Sequence, residues 1–394
     1  MPASTPESIG QRIARYRKMR HLTQVGLAAQ VGISASHLAH IEQGNKQTTP
    51  SVTASIARAL SVTTADLVGQ PYLAELQADQ LDVLIQPIRW ALDVYDLGAD
   101  PDITPRSLDA LAEEAERMCM LIRATDLRTA ATELPALILE TTTAAHATPS
   151  DRAWGVLAST YRTAYDVCTK LGYQDLSALA LERMAWAAER GSNPILASIR
   201  QYLRGLAYLR AGEYRTGRRL VAVGAATAAL AAPGRERDVV TGQIHLGGAV
   251  LAARAKDGDA AEDHLAKAQI LADRTGDAAK VYWLSFGPFN VAAHRVSALV
   301  DQDRYADALA VAKSVTVPED WPASRAAHHR AEIARAQLWT GRTDEALRSL
   351  LVARQLAPQQ TRYSTTVRET VAGLVSARRA APESLSNYAN WLGM

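Results

Sequence analysis

From Pro71 to Met394 apolar residues recur at spacings of three and four, with no sustained alternation of apolar and polar positions. A period near 3.6 without a period of two predicts helices and no sheet. Between Ile9 and Val68 the pattern is the same but shorter, with five amphipathic stretches separated by turn residues. Ile9, Ile13 and Tyr16 or Arg17 form the first stripe. Thr23 is a natural cap for the second stretch, whose Val25, Leu27, Ala28 and Val31 face inward before Gly32 ends it. Ser34 caps the third, with Leu38 and Ile41 as its buried positions. Gly44 stops that helix and Pro50 opens the next.

Further along, residues 72–98 read as one helix carrying Leu81, Leu84, Ile88, Leu92 and Tyr95 on a stripe and bent by Pro87, followed by a break at "GADPDITP". Beyond residue 105 the breaks recur: "RAGEYRTG", "AKDGDAAEDHLAKA", "VDQDRYADALAVA" and "WTGRTDEALRSLLVA" each end one helix at a polar turn and begin another. The turns at Gly212, Gly258, Asp303 and Gly341 fall about every 40 residues, a period that predicts stacked helical hairpins. We expect one hairpin at 105–146 and about six between Pro149 and Met394.

Two helices joined by a turn of about three residues, as over 23–42, have the geometry of a helix-turn-helix. The segment "LTQVGLAAQVGISASHLAHIEQGNKQTTPS" resembles the XRE (Cro and phage-repressor) family over about 60 residues once the flanking helices are included. The resemblance implies that Gln24 holds a phosphate and buttresses the base-reading side chains. It also implies that Ala35, Ser36, His37 and His40 face the major groove, and that Asn45 and Lys46 contact the backbone. Arg15, Thr23 and Ser34 complete the expected DNA-binding set. Family members often carry glutamine where Ala35 and Ser36 stand, so Ser36, His37 and DNA shape are expected to carry more of the specificity.

The segment "HHRAEIARAQLWTGRTDEALRSLLVARQLAP" resembles a tetratricopeptide repeat, with Trp339 and Ala346 at packing positions and Pro358 ending it. A helix-turn-helix followed by such repeats resembles the RRNPP regulators of bacterial cell-cell signalling. That resemblance implies a short peptide held by asparagines on the inner helices. This chain carries no asparagine ladder, and a small hydrophobic signal is equally admitted.

Both phenylalanines of the chain lie in "VYWLSFGPFNVAAHR", residues 281–295, beside a Gly287-Pro288 pair. Proline inside a helix removes a backbone donor and clashes with the preceding turn, so a kink or restart is expected there. A kink frees backbone polar groups, and Asn290 and His294 would share a face at i, i+4. Trp283, Phe286, Phe289, Asn290 and His294 are therefore the candidate effector site. The alternative is that the rings pack neighbouring hairpins and Asn290 caps the broken helix.

Charge adds one feature. The net charge is only +2, yet Arg12, Arg15, Arg17, Lys18 and Arg20 crowd the first twenty residues, whose one acid is Glu7. That asymmetry points to a polyanionic partner. Cys119 and Cys168 form no C-x-x-C pair and read as buried thiols. There is no apolar run of membrane-spanning length and no apolar block near the start, so a cytoplasmic location is expected. Glycine-rich phosphate loops, G-x-S-x-G and H-E-x-x-H are absent, and His328 and His329, as helix neighbours, point about 100° apart. Glu113 and Glu116 read as a solvated face.

The chain thus reads as an all-α protein: a five-helix DNA-binding domain at 1–70, a connecting helix and linker at 71–104, and a solenoid of tetratricopeptide-like hairpins at 105–394. The expected function is a bacterial transcription regulator, a homodimer on a pseudopalindromic operator. A small-molecule or peptide effector in the repeats would control it, without cofactor or metal. The alternative is a scaffold whose repeat groove binds a partner protein.

Overall fold

The computed structural model describes residues 7–377 and 382–394. Among them the regular structure is helical, with a single isolated bridge between Ala278 and Phe286.

Five helices open the chain: α1 (Ile9–Met19), α2 (Gln24–Val31), α3 (Ala35–Glu42), α4 (Pro50–Leu60) and α5 (Thr64–Val68). Each begins at a hydroxyl that accepts a backbone N–H: Ser8, Thr23, Ser34, Thr49 and Thr63. Gly32 and Gly69 end α2 and α5 in the left-handed region, and Pro50 sits at the first position of α4, where no donor is needed. Ile13, Leu27, Leu38, Ile41, Ile56, Leu60 and Leu67 are fully buried and form one core.

The segment after it differs from the single helix expected. α6 (Leu73–Ala78) stops at Gln80, which is left-handed with φ of 53°. A 3-10 turn at Asp82–Leu84 then leads into α7 (Ile85–Asp93). Pro87 lies in the first turn of α7, where it breaks no hydrogen bond, so the break is made by Gln80 and not by the proline.

Seven helix pairs follow. They are α8 (Leu108–Ala124) with α9 (Leu127–Ala147), α10 (Asp151–Leu171) with α11 (Gln174–Arg190), α12 (Pro194–Ala211) with α13 (Tyr214–Ala228), and α14 (Arg235–Arg254) with α15 (Gly258–Thr275). Then come α16 (Pro288–Asp301) with α17 (Tyr305–Ala312) and α18 (Ala323–Trp339) with α19 (Thr343–Leu356). After the short α20 (Pro358–Arg362), α21 (Thr365–Ser376) pairs with α22 (Glu383–Leu392).

In six pairs the turn holds one left-handed residue: Thr125, Gly172, Gly212, Lys256, Asp303 and Gly341. The fourth unit therefore turns at Lys256, whereas Gly258, the residue expected there, already belongs to α15.

The array turns back on itself. The Leu127 N–H donates to Gln359 of α20 at 2.8 Å, the Lys170 ammonium bonds Gln360, and Arg162 of α10 bonds the Tyr282 carbonyl. Arg368 of α21 pairs with Glu75 of α6 at 2.8 Å, closing the C-terminal helices onto the segment that follows the first domain.

Candidate nucleic-acid interface

α2 and α3 with the three-residue turn between them present one exposed surface. Ser36, His40 and Gln43 are exposed and follow one another at i, i+4 and i+7, so they share a face of α3 directed away from Leu38 and Ile41. Gln43 was missed on the sequence, although its spacing from Ser36 and His40 would have found it. Thr23, Ser34, Asn45 and Lys46 are also exposed. The hydroxyl oxygens of Thr23 and Ser34 accept the N–H groups of Gly26 and His37 at 3.0 and 3.1 Å, so these residues set the helix starts first. His37 is half-buried. Burial and the nearby Lys46 and His40 hold its imidazole below the usual histidine range, which keeps it a neutral donor and acceptor. Ala35 corrects the expectation: it is half-buried and packs against the domain core instead of facing outward with Ser36.

Gln24 is part of a network that ties three helices together. Its Nε2 donates to Glu42 Oε2 at 2.8 Å, and Arg17 grips the same carboxylate through Nε at 2.6 Å and Nη2 at 2.8 Å. Burial raises the Glu42 carboxyl, but the hydrogen bonds from Arg17 and Gln24 outweigh it and leave it below the usual carboxylate range. Among the described residues the second amide hydrogen of Gln24 and its oxygen have no hydrogen-bond partner.

The cluster of cations near the start proves largely structural. Arg12 donates to the Leu67 carbonyl at 2.7 Å and Arg20 to the Leu60 carbonyl at 3.0 Å, each clamping a helix C-terminus, while Arg17 is spent on Glu42. Lys18 and Arg15 remain exposed, the latter beside Glu7 at 3.3 Å and over the ring of Tyr16.

The opposite side of this domain is docked on the repeats. Arg58 of α4 donates to the Gly212 carbonyl at 3.0 Å and pairs with Glu213 at 3.1 Å, and Thr64 of α5 donates to the Arg210 carbonyl at 2.9 Å. Gly212 lies so close to Ala54 that a Cβ there would sit 2.1 Å from the alanine methyl. The α3 face stays uncovered.

The candidate effector residues do not line an open pocket. No long helix is kinked at Gly287-Pro288: the preceding segment is a loop closed by the Ala278 N–H donating to the Phe286 carbonyl at 2.9 Å, and Pro288 is the first residue of α16. Phe286 is fully buried in a slot on α14, where a Cβ on Gly242 would meet its ring at 2.1 Å. Phe289 is buried against Trp321, edge to face at 5.1 Å. Asn290, also buried, donates to Gln243 Oε1 at 3.3 Å, and Gln243 donates to the Tyr202 hydroxyl at 2.8 Å. Trp283 is half-buried in the loop with φ of 51°. His294, half-buried, donates from Nδ1 to the Asn290 carbonyl at 2.7 Å, one turn back on its own helix. Phe286, Phe289 and Asn290 are struts between hairpins.

Among the described residues no helix is long and apolar enough to cross a membrane. Comparison with known proteins places the first domain. Residues 8–68 match the helix-turn-helix domain family. The chain is similar to the crystal structure of the P58(IPK) TPR domain, at 12% identity and a TM-score of 0.21 over 98% of this chain and 97% of that one. A score so low carries no argument, and the repeat architecture stands on the helix pairs themselves. The immunity repressor protein of Bacillus phage phi105 is 33% identical over 126 residues, covering 30% of this chain and 87% of the repressor. With that identity over most of the repressor's length, the chain belongs to the helix-turn-helix family of DNA-binding transcription regulators that includes this immunity repressor.

Proposed function

We propose that the chain is an operator-specific regulator in which residues 1–70 bind DNA, residues 71–104 connect, and residues 105–394 sense an effector and dimerise. The observation that carries this reading is the two-sided first domain. Its α3 face is free for the major groove, while α4 and α5 rest on the turn between α12 and α13. Ser36, His37, His40 and Gln43 read bases, and Arg15, Gln24, Asn45 and Lys46 hold phosphates. Thr23 and Ser34 cap their helices by accepting backbone N–H groups and direct their hydroxyl protons to the DNA phosphates.

A single domain of this size makes too few contacts for tight specific binding, so two copies on a pseudopalindromic site are required. Val83 and Trp90, each 64% exposed, and Leu97, 79% exposed, support a dimer built on the connecting segment. Effector binding in the concave face of the repeats would shift the α12–α13 turn and with it the spacing of the two DNA-binding domains.

The test is fluorescence anisotropy of labelled duplexes titrated with the full chain at several salt concentrations. Arg15→Gln and Lys46→Gln are expected to weaken all duplexes alike and to flatten the salt slope. Equal affinity of the Lys46→Gln chain and the parent at every salt concentration would remove the assigned phosphate contact.

A further inference from the structure

Buried charges are balanced in one part of the repeats and not in another. Arg254 and Arg335 meet Asp301 at 2.7 and 3.1 Å, and Glu332 lies 3.7 Å from Arg335, so cations and carboxylates alternate. Where the array closes, the picture reverses. Arg123 of α8 pairs with Asp166, which lies one turn from both Arg162 and Lys170 on α10, and Lys170 is joined through Gln360 to the Ser324 carbonyl beside Arg325 of α18. The single carboxylate among them is Asp166, 3.4 Å from Arg123.

Among the described residues Arg162, Lys170 and Arg325 have no ion pair. Arg162, only 3% exposed, bonds the Tyr282 carbonyl and leaves its Nε without a partner. Lys170 bonds the neutral Gln360, whose amide donates to the Ser324 carbonyl, next to Arg325, at 2.8 Å. Four partly or fully buried cations against one carboxylate repel one another. Removing one partner of a pair is unfavourable for the same reason, and here the missing partners are anions. The surroundings carry the mark of this field: burial together with Arg123 and Arg325 lowers the Lys170 ammonium to about 7.

We infer that the chamber ringed by Arg123, Arg162, Lys170 and Arg325 binds a compact anionic small molecule carrying phosphate or carboxylate groups, an inference that rests on the effector reading above. The three unpaired cations supply at least six N–H donors on two helices, and the planar guanidinium groups of Arg162 and Arg325 suit either oxyanion. Lys170 is tied through Gln360 to the Ser324 carbonyl on α18, so an anion drawing on Lys170 and Arg325 acts on the hydrogen bonds joining α10, α20 and α18.

The experiment is isothermal titration of the full chain with inorganic pyrophosphate and, separately, citrate, at constant ionic strength in two buffers of different protonation enthalpy. One saturable site per chain is expected for at least one probe, with net proton uptake as Lys170 becomes fully charged. Comparison of the probes separates a phosphate from a carboxylate ligand. Arg325→Gln should weaken binding about 10- to 100-fold, as for loss of a charged hydrogen bond, without lowering thermal stability, because it relieves repulsion. Lys170→Gln should weaken binding and abolish proton uptake, and it serves if Arg325→Gln fails to fold. Arg15→Gln with Lys46→Gln should leave the heats unchanged, excluding binding at the DNA face. Absence of a saturable site for both probes, or parental binding by both chamber variants, overturns the chamber. DNA anisotropy measured on the same samples separates the two readings. A bound anion that leaves duplex affinity untouched defeats effector control but not the chamber, and intact DNA binding without anion uptake does the reverse.

Discussion

The proposed base reading by Ser36, His40 and Gln43 is not revealed by their chemistry alone, because polar residues on an exposed helix face are ordinary. Their spacing opposite Leu38 and Ile41, and the capping of the whole helix by Ser34, put them where bases would lie. Replacing Ser36 and His40 by alanine is expected to cost about 1–3 kcal/mol on the preferred duplex and little on others, as read by competition anisotropy. A uniform loss on all duplexes would move base reading elsewhere. Asn290 tells the opposite story, since an amide that reads as a ligand clamp in sequence is a buried link in the structure. Asn290→Ala strands the Gln243 oxygen and is expected to destabilise the fold by about 1–3 kcal/mol in urea denaturation. An unchanged midpoint would show that the link is idle. His329 is 2% exposed, with burial followed by Arg330 lowering its pKa to about 4, against the ordinary value near 6.5. The unfolded chain therefore binds this proton at a pH where the folded chain does not, so the folded state loses stability as pH falls from about 6.5 to 4. The slope is at most about 1.4 kcal/mol per pH unit from this group. His329→Gln should flatten that part of the stability profile measured by chemical denaturation at successive pH values, and an unaltered profile would contradict the assignment.

At the level of elements, periodicity made the helices legible because each buries a stripe, and Thr23, Gly32, Ser34 and Pro50 mark their ends with residues whose chemistry has few other uses. The repeat turns were legible where the left-handed residue is Gly212 or Gly341 and hidden where it is Thr125 or Lys256, since nothing in those side chains announces a positive φ. The Gly287-Pro288 pair was legible as a kink or a restart, but not as which of the two, for a related reason. Proline at the first position of a helix and proline at a kink look alike in one dimension, and only the slot at Gly242 shows that Phe286 is a plug between hairpins. Gly242→Ala would push a methyl into that ring and is expected to destabilise the chain by about 1–3 kcal/mol through overpacking. A thermal midpoint equal to the parent's would mean the slot is looser than its geometry. The basic cluster near the start was legible as charge but not as role, because helix C-termini that recruit Arg12 and Arg20 are tertiary neighbours, distant in sequence.

For the whole molecule, a first domain with an exposed α3 face is joined to an array that closes on its own first helices around the proposed anion-binding interior. That interior was invisible in sequence, as Arg123, Arg162, Lys170 and Arg325 come from three helices up to about 200 residues apart. If the connecting segment joins two copies, Trp90→Glu should convert a dimer to a monomer in light scattering and lengthen no helix, with specific DNA affinity falling in parallel. A parent chain that is monomeric at micromolar concentration and binds one protein per site would exclude that arrangement. The most direct test of the central claim is selection of bound sequences from a pool of randomised duplexes by the full chain, repeated with Ser36→Ala and His40→Ala combined. The account predicts enrichment of a two-fold motif whose half-sites lie about one helical turn apart, and loss of preference at specific bases in the double variant. Recovery of no motif, or of the same motif by the variant chain, would contradict it.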